Sequence, residues 1–152
     1  MKLAEALAER VDCQKKIDKL KDRLVNCARV QEGEQPIEDP TSLLSELRAN
    51  HLRMLDLVTR INRTNAATPF EPGTNLSDAL SQRDHLAALR ASLSRIIDAA
   101  SIRADRITRS EVKYVSTISV RDLQIEADST AQAHRKLDSR IQELNWATEL
   151  IS

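Results

Sequence analysis

Apolar residues recur at alternating steps of three and four along four stretches of this chain, a pattern met by long helices that must each bury one stripe. In the first stretch Leu3, Ala6, Cys13, Ile17, Leu20, Leu24 and Cys27 keep step, broken only by Arg10. The second carries Leu44, Leu47, His51, Met54, Val58, Ile61 and Asn65 without a break, with Leu43 and Leu55 widening the stripe. Leu86, Leu89, Leu93, Ile96, Ala100 and Ile107 mark the third. The fourth runs through Val120, Leu123, Ala127, Thr130, His134, Leu137, Ile141, Leu144, Thr148 and Ile151. The periodicity predicts helices over about 2–31, 40–66, 76–107 and 120–151.

The junctions agree with these boundaries. Gly33 can end the first helix, and Pro36 and Pro40 cannot continue it; Asp39 followed by Pro40 is an N-cap and first-turn pair that starts the second. Between the second and third helices, TPF, EPG and TNL predict a small β-hairpin, and Asn75 with Asp78 marks a restart. The segment TRSEVKYVSTIS loses the helical period and is expected to be extended, with Ser119 and Asp122 opening the last helix.

Only two glycines and three aromatic residues, Phe70, Tyr114 and Trp146, occur in 152 residues, which suits helices rather than sheets. The expected fold is all-α, a single domain over 1–152. It is an elongated antiparallel four-helix bundle, or a pair of long hairpins with coiled-coil-like seams, with a minor β-hairpin or extended segment at the helix junctions. An up-and-down order puts residues 61–76 and the carboxyl end around Asn145 at the same end. Seams this regular favour partner helices, so self-association into a homo-oligomer is expected.

Lysine plus arginine balance aspartate plus glutamate at 23 each, so no global charge draws the chain to nucleic acid or anionic membrane. No apolar run approaches the ~18 residues a membrane helix needs, and the start MKLAEALAER reads as neither signal nor anchor. A cytoplasmic protein is expected. Cys13 and Cys27 then read as small apolar fillers of a reduced core.

INRTNAAT at 61–68, RSEVKYVSTISV at 109–120 and IQELNWATEL at 141–150 resemble the septicolysin-like family of small bacterial proteins. The resemblance extends over nearly the whole chain, including MKLAEALAER and QEGEQPIEDP. It implies a predominantly helical fold and, by the family's name, a membrane-active cytolysin. The residues argue against that activity, since one Trp and one Tyr give little interfacial anchoring.

Three polar groups are candidate sites. His51 and His134 share a layer if the second and fourth helices run the same way, and either begin a metal site or fix helix register. Carboxylate-bridged bundles need Glu three residues before His, whereas Arg48, Gln82 and Ala131 stand there, so register is the stronger reading. Asn62, Arg63, Thr64, Asn65 and Thr68 with Asn145, Trp146, Thr148 and Glu149 either cap helix ends and hold the turn, with Trp146 plugging the core, or form a pocket or partner-docking patch. Arg103, Arg106, Arg109 and Lys113 offer a weak anion or nucleic-acid surface, diluted by Asp105 and Glu111. No Gly-rich phosphate loop or nucleophile elbow occurs, so no enzyme and no cofactor is expected. The expected role is structural: an interaction protein, with cytolysis or weak metal or nucleic-acid binding as the alternatives.

Overall fold

A computed structural model describes residues 1–101 and 114–152. Its elements are α1 (Leu3–Cys27), α2 (Pro40–Ala67), β1 (Pro69–Glu71), β2 (Thr74–Asn75), α3 (Leu76–Ala100) and α4 (Val120–Ala147). The chain is therefore mostly helical, with one small two-stranded antiparallel sheet among the described residues. It forms two compact units, Met1–Leu76 with Gln142–Ser152, and Ser77–Ile141.

In the first unit α1 and α2 are antiparallel, as their cross-contacts show. Glu9 pairs with Arg53 at 2.8 Å, the Cys13 thiol donates to the Asn50 carbonyl at 3.2 Å, and Arg23 binds Glu38. As the residue number rises along α1 it falls along α2. The α1 stripe is the expected one: Leu3, Ala6, Cys13, Ile17, Leu20 and Cys27 are buried, and both cysteines are free. A weakly polarised thiol packs there as a small apolar group.

The α2 stripe differs from expectation by one helical row. Leu43, Leu57, Ile61 and Thr64 are buried, whereas Leu44 is 39% exposed and His51 lies on the surface. Adjacent rows of α2 both carry leucine, so periodicity alone leaves two candidate seams one residue apart. The row through Leu57 and Ile61 is the one that meets α1. This also removes His51 from the buried polar layer expected of it.

Both predicted α2 ends are observed. Asp39 accepts hydrogen bonds from the N–H groups of Thr41 (3.1 Å) and Ser42 (3.2 Å), with Pro40 at the first position. At the far end β1 and β2 pair in the register Pro69 with Asn75 and Glu71 with Thr74. Pro72 and Gly73 form the turn, and Gly73 takes φ +81°, a conformation glycine adopts without a Cβ penalty. The Leu76 N–H then donates to the Thr68 carbonyl at 2.9 Å, which closes the hairpin where α3 begins.

Two helices stop earlier than their periodicity suggests. α1 ends at Cys27, its last buried residue; residues 28–31 are all exposed and have no packing to hold them helical. α4 ends at Ala147 because the next residues pair with the amino terminus, through a bridge between Lys2 and Glu149.

In the second unit, Leu93 of α3 and Ala127, Thr130, Ala131, Leu137 and Ile141 of α4 are buried. Arg83 on α3 approaches Asp138 on α4 at 3.6 Å. Ser119 caps α4 as expected, accepting the Asp122 N–H at 3.2 Å. Residues 114–119 precede it without helix or strand and are exposed. The remainder of the segment expected to be extended, and the predicted end of the third helix, lie outside the described residues.

Candidate functional site

Polar groups gather where both chain ends meet the last turns of α2. Thr64 is fully buried, and its hydroxyl donates to the Arg60 carbonyl (2.8 Å) while accepting the Ile151 N–H (3.0 Å). The Arg60 side chain donates through Nε to the Ile151 carbonyl at 2.9 Å. Both main-chain groups of Ile151 are thus held by one turn of α2. Thr68 continues the row, its hydroxyl donating to the Thr64 carbonyl at 2.7 Å.

The amino terminus joins from the other side. The Leu3 N–H donates to the Thr148 carbonyl and the Leu150 N–H to the Met1 carbonyl, both at 2.9 Å. Glu149 takes the Lys2 ammonium at 2.8 Å and the terminal ammonium at 3.2 Å. Hydrogen bonds from Lys2 and from the terminal ammonium hold the Glu149 carboxyl below its ordinary pKa. Lys2 also donates to the Ala147 carbonyl at 3.1 Å, which satisfies a free acceptor at the end of α4. Its own N–H donates to Glu5 at 2.7 Å.

A run of ion pairs leads away from this cluster along one flank of α2. Arg60 lies 3.6 Å from Asp56, Asp56 lies 3.0 Å from Arg53, and Arg53 reaches Glu9 on α1. The hydrogen-bonded Glu9 carboxylate raises the Arg53 guanidinium pKa further, so Arg53 stays charged over the whole physiological range. These groups satisfy one another, and their chemistry is that of a clasp.

The expected convergence of residues 61–76 with the carboxyl end is therefore present, and Thr64, Thr68, Thr148 and Glu149 of the expected group take part in it, whereas Asn62, Arg63 and Trp146 do not. Asn145 is buried at 5% exposure, whereas Trp146 is 62% exposed and does not plug the core. The reason is helical phase: Asn145 follows the buried Ile141 by four residues and shares its face, and Trp146 is turned about 100° from it. Asn62 and Arg63 are exposed and Asn65 is half-buried. The sequence gives no sign of Met1, Lys2 and Arg60 as members, and Ile151 reads there only as the end of an apolar stripe; the pairing of the two chain ends involves backbone groups, which leave no pattern of side chains to read.

Of the histidines, His51 is exposed in the first unit and His134 is half-buried in the second. Among the described residues no three His, Cys, Asp or Glu side chains gather as metal ligands would. Arg103, Arg106, Arg109 and Lys113 lie outside the described residues. No helix among those described is long and apolar enough to cross a membrane. A shallow open depression lies on the β-hairpin, lined by Phe70, Pro72 and neighbouring residues between 66 and 75.

A crystal structure of a functionally unknown conserved protein from Corynebacterium diphtheriae is similar to this chain, at 48% sequence identity over 99% of each chain and a TM-score of 0.94. No curated protein matches. These findings overturn the resemblance to septicolysin-like proteins, because residues 10–150 match a different family and the similar structure carries no cytolysin description. The match covers nearly the whole chain, which belongs to the family of unknown function DUF6847.

Proposed function

We propose that this protein is a structural or interaction protein whose helices pack as a bundle and that acts as a homo-oligomer. Large apolar side chains left on helix surfaces carry this reading. Leu52 (68%), Leu55 (63%), Val11 (52%) and Val25 (74%) are exposed on α1 and α2, beside seams that are already filled. Single exposed leucines are ordinary, but several on one pair of helices mark a contact surface. The polar clusters add no rival chemistry, since their donors and acceptors are spent on holding the chain ends together.

Light scattering on the purified chain over a concentration series tests the proposal. A mass that rises to a multiple of the chain mass is expected. A strict monomer at the highest concentration would remove the homo-oligomer.

A further inference from the structure

The buried rows assign heptad positions to the α1–α2 hairpin. In α1 the a and d sites run through Leu3, Ala6, Cys13, Ile17, Leu20 and Cys27, and in α2 through Leu43, Leu57, Ile61 and Thr64. Reversing one helix of a pair sets each flank opposite its own kind, g to g and e to e. Glu9 and Arg53 both fall at g, and their 2.8 Å ion pair identifies that flank as the charged one. The other flank, of e and b sites, is different in composition. On α2 it carries Leu44, Arg48, His51, Leu55 and Val58, with no carboxylate, and Leu52 borders it. On α1 it opens with the apolar run Ala4, Leu7 and Val11, of which Val11 is exposed and the other two half-buried. Gln14, Asp18 and Lys21 follow, and Val25 ends the strip.

Resting on the homo-oligomer reading, we infer that a second copy of the chain docks on this e/b flank, with α1 of one copy lying antiparallel on α2 of the other about a two-fold axis along the hairpin. The cross-contacts of the hairpin, Glu9 with Arg53 and Cys13 with Asn50, set which residues share a level. A two-fold along the hairpin preserves those levels and exchanges the helices. Leu7 then meets the partner's Leu55, Ala4 meets the partner's Val58, and Val11 meets the partner's Leu52. The apolar third of the α1 strip thus falls level with the apolar third of the α2 strip, as a buried helix contact requires.

The polar residues match next. Gln14 comes level with the partner's Arg48, and Asp18 falls about one turn from it, so the one carboxylate on the α1 strip meets the one guanidinium on the α2 strip. Asp18 already takes Lys21 at 3.0 Å and the Gln14 side-chain amide at 3.3 Å, both on its own helix. These contacts are exposed and contribute little, so a second cation can compete for the carboxylate. Placing α2 on α2 about the same axis would instead bring two Arg48 side chains to one level with no carboxylate on either strip.

The area sets the strength. A fully exposed Leu or Val side chain removes ~60–120 Å² on burial, so Val11, Val25, Leu44, Leu52 and Leu55 together supply less than the ~800 Å² per partner of a standard interface. The dimer is therefore a dissociating one, governed by concentration.

Sedimentation of the full chain tests this with Leu55→Glu, Leu52→Glu, and the charge variants Arg48→Glu and Asp18→Arg, singly and together. The altered side chains are on the surface of the protomer, and far-UV circular dichroism confirms its fold. Leu55→Glu and Leu52→Glu are each expected to raise the midpoint of dimer dissociation at least tenfold. Each charge variant weakens the dimer, and the double variant restores it. A wild-type dimer that Leu55→Glu and Leu52→Glu leave intact overturns this surface and spares the homo-oligomer. Loss of the dimer in the apolar variants without rescue by the charge swap overturns the α1-on-α2 register. A wild-type monomer removes the homo-oligomer itself.

Discussion

The buried hydroxyl of Thr64 accepts the main-chain N–H of Ile151 at 3.0 Å, 87 residues away in sequence. That bond ties the carboxyl-terminal segment to the last turn of α2. The same hydroxyl donates to the Arg60 carbonyl, so its one proton is committed within α2.

Replacing Thr64 with Val keeps its shape and leaves the Ile151 N–H without that acceptor. Denaturant unfolding should show a loss of ~1–3 kcal/mol, the cost of stranding a buried polar group. Thr64→Ser should keep the bond and fall between Val and wild type. Amide exchange at Ile151 should accelerate in the Val variant first.

The α2 seam predicts a sharp contrast between neighbours. Leu57 is fully buried and Leu55 is 63% exposed. Leu57→Ala should cost ~2–5 kcal/mol of protomer stability through lost transfer energy and a cavity. Leu55→Ala should change protomer stability by no more than ~0.5 kcal/mol, as surface substitutions do. Equal losses would place the seam on the wrong row.

Acid should loosen the pairing of the chain ends. Glu149 has its pKa lowered from 4.5 in the folded chain, chiefly by Lys2 and then by the terminal ammonium. A depressed carboxylate stabilises the fold above its unfolded pKa and loses that contribution as pH falls through the folded value. The clasp is therefore intact at neutral pH and weakens below 4.5. Exchange protection at Leu3 and Leu150, corrected for intrinsic rates, should fall between pH 6 and pH 3, and Glu149→Gln should flatten that response.

Cys13 and Cys27 are free and buried, at 5% and 7% exposure. A soluble thiol reagent should react slowly with the native chain and rapidly with both thiols in denaturant, since attack needs an accessible thiolate. Fast native labelling of either would contradict its place in the α1 stripe.

Much of the fold was legible in side chains alone. The α1 stripe, the Asp39 and Ser119 caps, and the Pro72–Gly73 hairpin each follow from a local rule that nothing tertiary opposed. The α2 seam was harder, because Leu43 and Leu44 offer two rows and only contact with α1 selects one. Trp146 misled through its size: a large apolar ring was expected inward, yet helical phase put Asn145 on the buried face. The clasp of the chain ends rests on backbone hydrogen bonds between Leu3 and Thr148 and between Leu150 and Met1. Any residue type supplies those groups, so sequence marks them poorly.

The separation of an ionic flank from a largely apolar one on the α1–α2 hairpin is the basis of the proposed assembly, and sedimentation equilibrium tests it most directly. The proposed assembly predicts a mass that moves from the 17.1 kDa chain toward twice that value as concentration rises. A mass fixed at 17.1 kDa throughout would contradict it.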